Sequence, residues 1–198
     1  MKTKLYDHRY FDRWYRGRHR QDRAALARKV ALAVAMAEYY LGRPIRSVLD
    51  VGCGEGAWRA PLLKLRPKLH YQGVDSSEYV VATFGRRRNI ALARFGQLGQ
   101  LRLGAPVDLL VCSDLLHYLK TAELRRGLSG FGELCAGLAF IEAFTAEDDI
   151  EGDLHGFIRR RAASYRKWIA AAGFLDCGSN GWLSPRLKQD ASALEALR

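Results

Sequence analysis

The segment Val48–Gly56, VLDVGCGEG, leaves this chain few folds to choose from. An apolar run broken only by Asp50 is followed by glycines at 52, 54 and 56 and then by a helical stretch. Such a run predicts a buried strand. The alternate glycines let the backbone turn tightly and approach a ligand without Cβ clashes. In open α/β sheets that turn sits outside the carboxyl end of the first strand, where ligands bind.

The spacing separates ligand classes. Dinucleotide-binding turns read G-x-G-x-x-G and seat a pyrophosphate on the helix N-terminus. Here the pattern is acid-x-G-x-G-x-G, and Asp50 would meet a pyrophosphate with the wrong charge. A carboxylate there suits a ligand with a positive end, such as an amino group.

From Ile45 onward strand and helix patterns alternate. Strands are predicted at Ser47–Val51, His70–Asp75, Ile90–Phe95, Val107–Cys112 and Leu138–Glu142. Helices are predicted at Ala57–Leu65, Ser77–Arg87, Thr121–Leu134 with Thr121 as N-cap, and Phe157–Ala172, which Gly173 ends. Two short strands are expected around Phe174–Leu183 and Ser192–Leu197, paired antiparallel at one edge because no helix separates them. The pattern predicts an α/β fold of three layers, with a seven-stranded, mostly parallel sheet and an antiparallel last strand.

Residues 1–44 are read as an N-terminal helical cap and 45–198 as the ligand-binding domain. Part of the set Tyr6, Tyr10, Phe11, Trp14 and Tyr15 shares one helix face. A second helix is expected from Asp22 to Leu41, with Leu26, Val30, Ala33, Ala37 and Tyr40 as its inner stripe and Gly42 and Pro44 as stop signals. The acidic stretch Thr145–Gly156 has no period and is read as a loop beside the strand ends.

Charge and cysteine content exclude other classes. The 32 Lys+Arg against 21 Asp+Glu give a net charge of +11, which keeps a polyanionic partner such as nucleic acid as an alternative. Solvated helix faces are the plainer reading of the arginines, which gather in the segment through Arg28, in Arg86–Arg88 and in Arg159–Arg161. No apolar run approaches the ~18 residues of a membrane span, and Val30–Leu41 contains Glu38. The N-terminal MKTKLYDHRYFDRWYRGRHR lacks the apolar core of a secretory signal, so a cytoplasmic location is expected. Cys53, Cys112, Cys135 and Cys177 are widely spaced and none has zinc-site spacing, so no metal is expected.

The glycine segment resembles motif I of class I S-adenosylmethionine-dependent methyltransferases, and the resemblance runs from about Ile45 to the C-terminus. It implies a Rossmann-like fold, S-adenosyl-L-methionine as cofactor, and a cofactor site at Asp50, Gly52, Cys53, Gly54 and Gly56. It implies ribose binding by Asp75, beside Ser76, since a carboxylate accepts two hydrogen bonds from a cis-diol. Asp75 also has the place of an N-cap for the next helix. Phe95–Leu98 falls where the family reads Gly-Asp-Leu against adenine, with Gln97 replacing the acid beside Leu98. Asp108–Leu119 is similar to motif IV, in which Ser113, Asp114 and Leu115 would line the methionine part of the cofactor. Ala171–Phe174 matches the family's helix-to-strand junction.

Methyl transfer from a sulfonium is an in-line displacement in which the protein chiefly supplies proximity and alignment. A neutral amine attacks directly, whereas a hydroxyl is helped by a base. Base candidates near the strand ends are His117, Glu142 and His155, and His117 reads equally as a packed residue. Tyr10, Trp14 and Tyr118 are candidates to line the acceptor pocket, with an N-terminal segment similar to those that cap small-molecule members of the family. A core-packing helix explains the same aromatics. The expected acceptor is a small molecule, methylated at N or O. An RNA-modifying enzyme is the charge-based alternative, although Ser113-Asp114-Leu115-Leu116 stands where base-amino methyltransferases carry Asn/Asp-Pro-Pro-Tyr/Phe. A non-catalytic cofactor-binding module is the other alternative.

Overall fold

In the computed structural model, residues 8–12, 22–101, 103–150 and 153–196 are described. Their centre is a seven-stranded sheet of order β3-β2-β1-β4-β5-β7-β6. The strands are β1 Ser47–Val51, β2 His70–Asp75, β3 Ile90–Leu92, β4 Val107–Ser113, β5 Cys135–Glu142, β6 Leu175–Asp176 and β7 Gly181–Leu183. Strands β1 to β5 are parallel, and β7 lies antiparallel to both β5 and β6. The order reverses between β1 and β4, which opens a crevice at their carboxyl ends. The expected α/β architecture is therefore present.

The helices are α1 His8–Phe11, α2 Arg23–Leu41, α3 Arg59–Leu65, α4 Glu78–Arg88, α5 Thr121–Leu128, α6 Phe131–Leu134 and α7 Ala162–Ala171. Asp22 caps α2 by accepting from the Ala24 amide at 2.8 Å, and Gly42 ends it in a left-handed conformation with φ 63°. Leu26, Val30, Ala33, Val34 and Ala37 are the buried face of α2; Tyr40 is only half-buried.

Strand residues alternate between two cores, as the pleat requires. Val48, Leu109, Val111, Leu138 and Phe140 pack with α2 and α3. Leu49, Val51, Leu110, Cys112, Ala139 and Ile141 pack with α5, α6 and α7. A smaller cluster of Cys53, Val80, Phe84 and Ile90 joins α4 to the glycine turn, and Tyr10 packs onto it.

Several predicted elements change. Strand three ends at Leu92, and Phe95–Gln100 forms a 3-10 turn. The helix expected over Thr121–Leu134 breaks into α5 and α6, and Lys120, not Thr121, is its N-cap. The break lies against the Phe95–Gln100 turn, where a Cβ on Gly130 would fall 2.5 Å from the Gly99 Cα. The last helix starts at Ala162 because its expected first turn is spent elsewhere: Ile158 N–H donates to His117 O at 2.8 Å, and Arg160 O accepts from Ala146 N–H at 2.7 Å. The strand expected at Ser192–Leu197 is absent from the described residues, and both short strands lie within Leu175–Leu183. Residues 192–196 fold as turns, with Glu195 accepting from Ser192 N–H and from the Tyr39 hydroxyl of α2.

Asp108 begins the motif-IV-like segment yet lies at the opposite end of β4 from the crevice. Its carboxylate takes both nitrogens of the Arg43 guanidinium at 2.7 and 2.9 Å and the Arg46 amide at 2.7 Å. Burial opposes its charge, but these donors prevail and hold the carboxyl below its ordinary pKa. Asp108→Ala is expected to lose about 2 kcal/mol of stability through the orphaned amide and guanidinium. It should leave S-adenosylhomocysteine affinity unchanged, since the site lies across the sheet. Urea unfolding and calorimetry read the two quantities; undiminished stability would show that the clamp carries no weight.

Candidate active site

The crevice is built on the turn after β1. Gly52, Gly54 and Gly56 all have positive φ, at 69°, 53° and 78°. At Gly52 a side chain is excluded twice, by the backbone and by Leu115, whose Cδ2 would lie 2.5 Å from the added Cβ. The Gly52 and Cys53 amides both donate to Val74 O, at 2.8 and 3.2 Å, which fastens the turn to β2. Burial pushes the Cys53 thiol pKa up, so this side chain packs and does not react.

Asp75 joins the turn to α4. One carboxylate oxygen accepts from Gly54 N–H and the other from Ser77 N–H, both at 2.8 Å. A carboxylate offers about four acceptor sites. The Ser76 amide also acts on this carboxylate, so the amides of Gly54, Ser76 and Ser77 together fix its plane at the mouth of the crevice. Burial raises the Asp75 pKa against these amide bonds. The N-cap of α4 is Ser77, whose side chain accepts from Val80 N–H; Ser76 beside it is exposed.

Asp50 lies beneath the turn, 2% exposed, with the Tyr71 hydroxyl donating to it at 2.8 Å. Gln97 is exposed, and its carbonyl oxygen accepts from Arg94 N–H at 3.0 Å, so that oxygen is committed to its own turn. Leu98 is buried in the core beneath.

At the ends of β4 and β5 the α2-facing positions are Ser113 and Glu142. The Ser113 hydroxyl donates to Glu142, and Lys29 of α2 pairs with both Glu142 oxygens at 2.7 Å. Lys29 carried no sequence signal, because the partner strand lies more than a hundred residues away. Asp114 follows with φ 59°, its amide donating to Glu142 O at 3.1 Å and its carboxylate 3.2 Å from His117 Nε2.

His117 is buried at 1% exposure. Its Nδ1 accepts from Phe144 N–H at 3.3 Å, which assigns the ring proton to Nε2, facing Asp114. Tyr118 donates its hydroxyl to Asp153 O at 2.9 Å and ties down the loop that carries His155, which is exposed. Tyr10 packs beside the glycine turn on the α4 side, with Cys53 and Val80. Trp14 lies outside the described residues. Sequence reasoning also missed Arg160, buried and donating to Leu116 O, Leu119 O, Thr121 Oγ1 and Tyr165 Oη. Among the described residues no His, Cys, Asp and Glu cluster is arranged to hold a metal, and no helix is long and apolar enough to cross a membrane.

Residues 49–137 match the family described as "Methyltransferase domain". No curated protein matches the chain significantly. Among solved structures, the sugar N-methyltransferase KedS8 from a Streptoalloteichus species is 20% identical, covers 93% of this chain and 96% of its own, and has a TM-score of 0.69. DesVI of Streptomyces venezuelae is also 20% identical, over 91% of this chain and 98% of its own, with a TM-score of 0.66. Magnesium protoporphyrin IX methyltransferase ChlM from Synechocystis, with bound SAM, is 23% identical over 85% of this chain and 82% of its own, with a TM-score of 0.61. At these identities the likeness is one of fold.

Burial, with the charge of Asp75 adding, pushes the Asp50 carboxyl up to about 7 despite the Tyr71 hydrogen bond. A pKa raised above the unfolded value means the folded chain holds the extra proton. That stabilisation is complete below about pH 4 and is lost as pH rises through about 7. Asp50→Asn keeps an acceptor for Tyr71 and removes the buried charge. The variant is expected to exceed wild type in stability above neutral pH, with a flatter stability–pH curve in urea titrations. Superimposable curves would mean that Asp50 ionises without cost.

Proposed function

We propose that this chain is a class I S-adenosylmethionine-dependent methyltransferase, a reading supported by its fold and by the family match over residues 49–137, and that it methylates the nitrogen of a small-molecule amine without a general base. The cofactor supplies an activated methyl group on a sulfonium. Asp50, Gly52, Cys53, Gly54 and Gly56 form its cradle, with the buried carboxyl of Asp50 beneath the turn. Asp75 with Ser76 takes the ribose, and Gln97 and Leu98 border the adenine. Ser113 and Leu115 close the methionine end, and Asp114 between them is left to the acceptor side.

One observation carries the amine reading: the two best-placed base candidates are already occupied. The Nδ1 lone pair of His117 is taken by the Phe144 amide and its Nε2 proton faces Asp114. Glu142 is matched by Lys29 and Ser113. A hydroxyl acceptor needs help that neither gives, whereas a neutral amine needs only alignment. KedS8, a sugar N-methyltransferase of the same fold and nearly the same length coverage, supports the same choice.

The test measures S-adenosylhomocysteine release with matched acceptors: D-glucosamine against D-glucose, and tyramine against its alcohol analogue tyrosol. The amine of each pair is expected to be the better substrate, with turnover rising as the amine itself deprotonates. Preference for the hydroxyl partner would overturn the reading. Methylation of tRNA, with binding that falls steeply in salt, would favour the nucleic-acid alternative.

A further inference from the structure

We propose that Asp114 is the carboxylate that receives the acceptor amine and that His117 is its positioning residue; the proposal rests on the amine reading above. Asp114 is held at both ends. Its backbone, in the left-handed region at φ 59°, donates its amide to Glu142 O. Asp is among the few residues that tolerate this conformation. Its Oδ1 lies 3.2 Å from Nε2 of His117. His117 in turn has no freedom to swing. Its Nδ1 is anchored by Phe144 N–H, and its ring lies among Tyr118, Phe144 and Phe157 at centroid distances of 4.2, 5.5 and 5.1 Å.

The remaining face of Asp114 is open, with its side chain 64% exposed. The neighbouring Glu142 is neutralised by Lys29, whereas Asp114 pairs with no Lys or Arg among the described residues. It also stands beside the donor: the next residue, Leu115, is the side chain lying against Gly52. An amine that gives one N–H to Asp114 has its lone pair free to face the crevice. As the N–C bond forms and the S–C bond breaks, the sulfur keeps the bonding pair and the acceptor nitrogen becomes an ammonium. A fixed carboxylate beside that nitrogen stabilises the charge as it develops. The extra proton then leaves to water across the exposed carboxylate.

The experiment compares wild type, Asp114→Asn, His117→Gln and His117→Leu in two measurements: calorimetric affinity for S-adenosylhomocysteine, and kcat and KM for D-glucosamine and tyramine. Asn accepts the same backbone conformation, so Asp114→Asn is expected to fold. It should lose about a hundredfold in kcat/KM for the amine while cofactor-product affinity stays within about twofold. Gln offers both an acceptor for Phe144 N–H and a donor for Asp114, so His117→Gln should keep turnover and the wild-type pH profile. His117→Leu should raise KM, with retained S-adenosylhomocysteine binding reporting that the chain is folded. Equal losses of turnover and cofactor-product affinity in Asp114→Asn would make Asp114 a cofactor ligand and overturn the proposal. An unaffected Asp114→Asn would do the same, as would an inactive His117→Gln, which would make His117 the base. Wild type silent on both amines sinks the amine reading itself, and this inference with it, before any variant is compared.

Discussion

Parallel strands put every carboxyl end on one edge of the sheet, and the pleat then decides which side chains meet there. Val48 faces α2 and α3, so Asp50, two residues on, lies on the same side. The same count from Val111 reaches Ser113, and from Phe140 reaches Glu142. Lys29 closes the set because α2 covers this face. Asp50, Ser113 and Glu142 thus share a face of the crevice by register alone, and a one-residue slip of any strand would send its polar end to the α5–α7 side.

That dependence explains what was legible in the sequence. The glycine turn, Asp50 and Asp75 sit within single strand-to-helix units, where short-range pattern and geometry coincide. Their places at the strand end were readable, and the structure adds the amides that hold them. Glu142 and His117 were readable as titratable groups near strand ends, but not their partners. The Lys29–Glu142 pair spans 113 residues and the Phe144–His117 bond spans 27. The late start of α7 and the split of Thr121–Leu134 have the same origin, since contacts with Ala146, His117 and Gly99 override local helix propensity.

The arginines, which gave the chain its basic character, are used unevenly. Within Arg86–Arg88 the first two are exposed, while Arg88 donates to Glu55 O in the glycine turn and lies 4.2 Å over the Phe84 ring. Within Arg159–Arg161 only Arg160 turns inward. Arg43 and Arg66 are spent on Asp108 and Glu38. Each of these two runs therefore reads as one anchoring residue with solvated neighbours.

Arg160 and His117 together keep the turn after β4 in shape. Arg160 gathers the carbonyls of Leu116 and Leu119 on either side of the His117 turn, a task for which a planar guanidinium with several donors is suited. The turn so fixed presents the His117 Nε2 proton outward and leaves Nδ1 for the backbone of the following loop. On the amine reading, a histidine held this way is a rigid donor–acceptor spacer and not a proton shuttle. Rigidity has a use on the proposed amine reading: in-line methyl transfer tolerates little misalignment of the attacking nitrogen, and its charge appears only as the new bond forms. A carboxylate held in advance stabilises that charge without reorganising, whereas a mobile base would add freedom to the step that needs least of it.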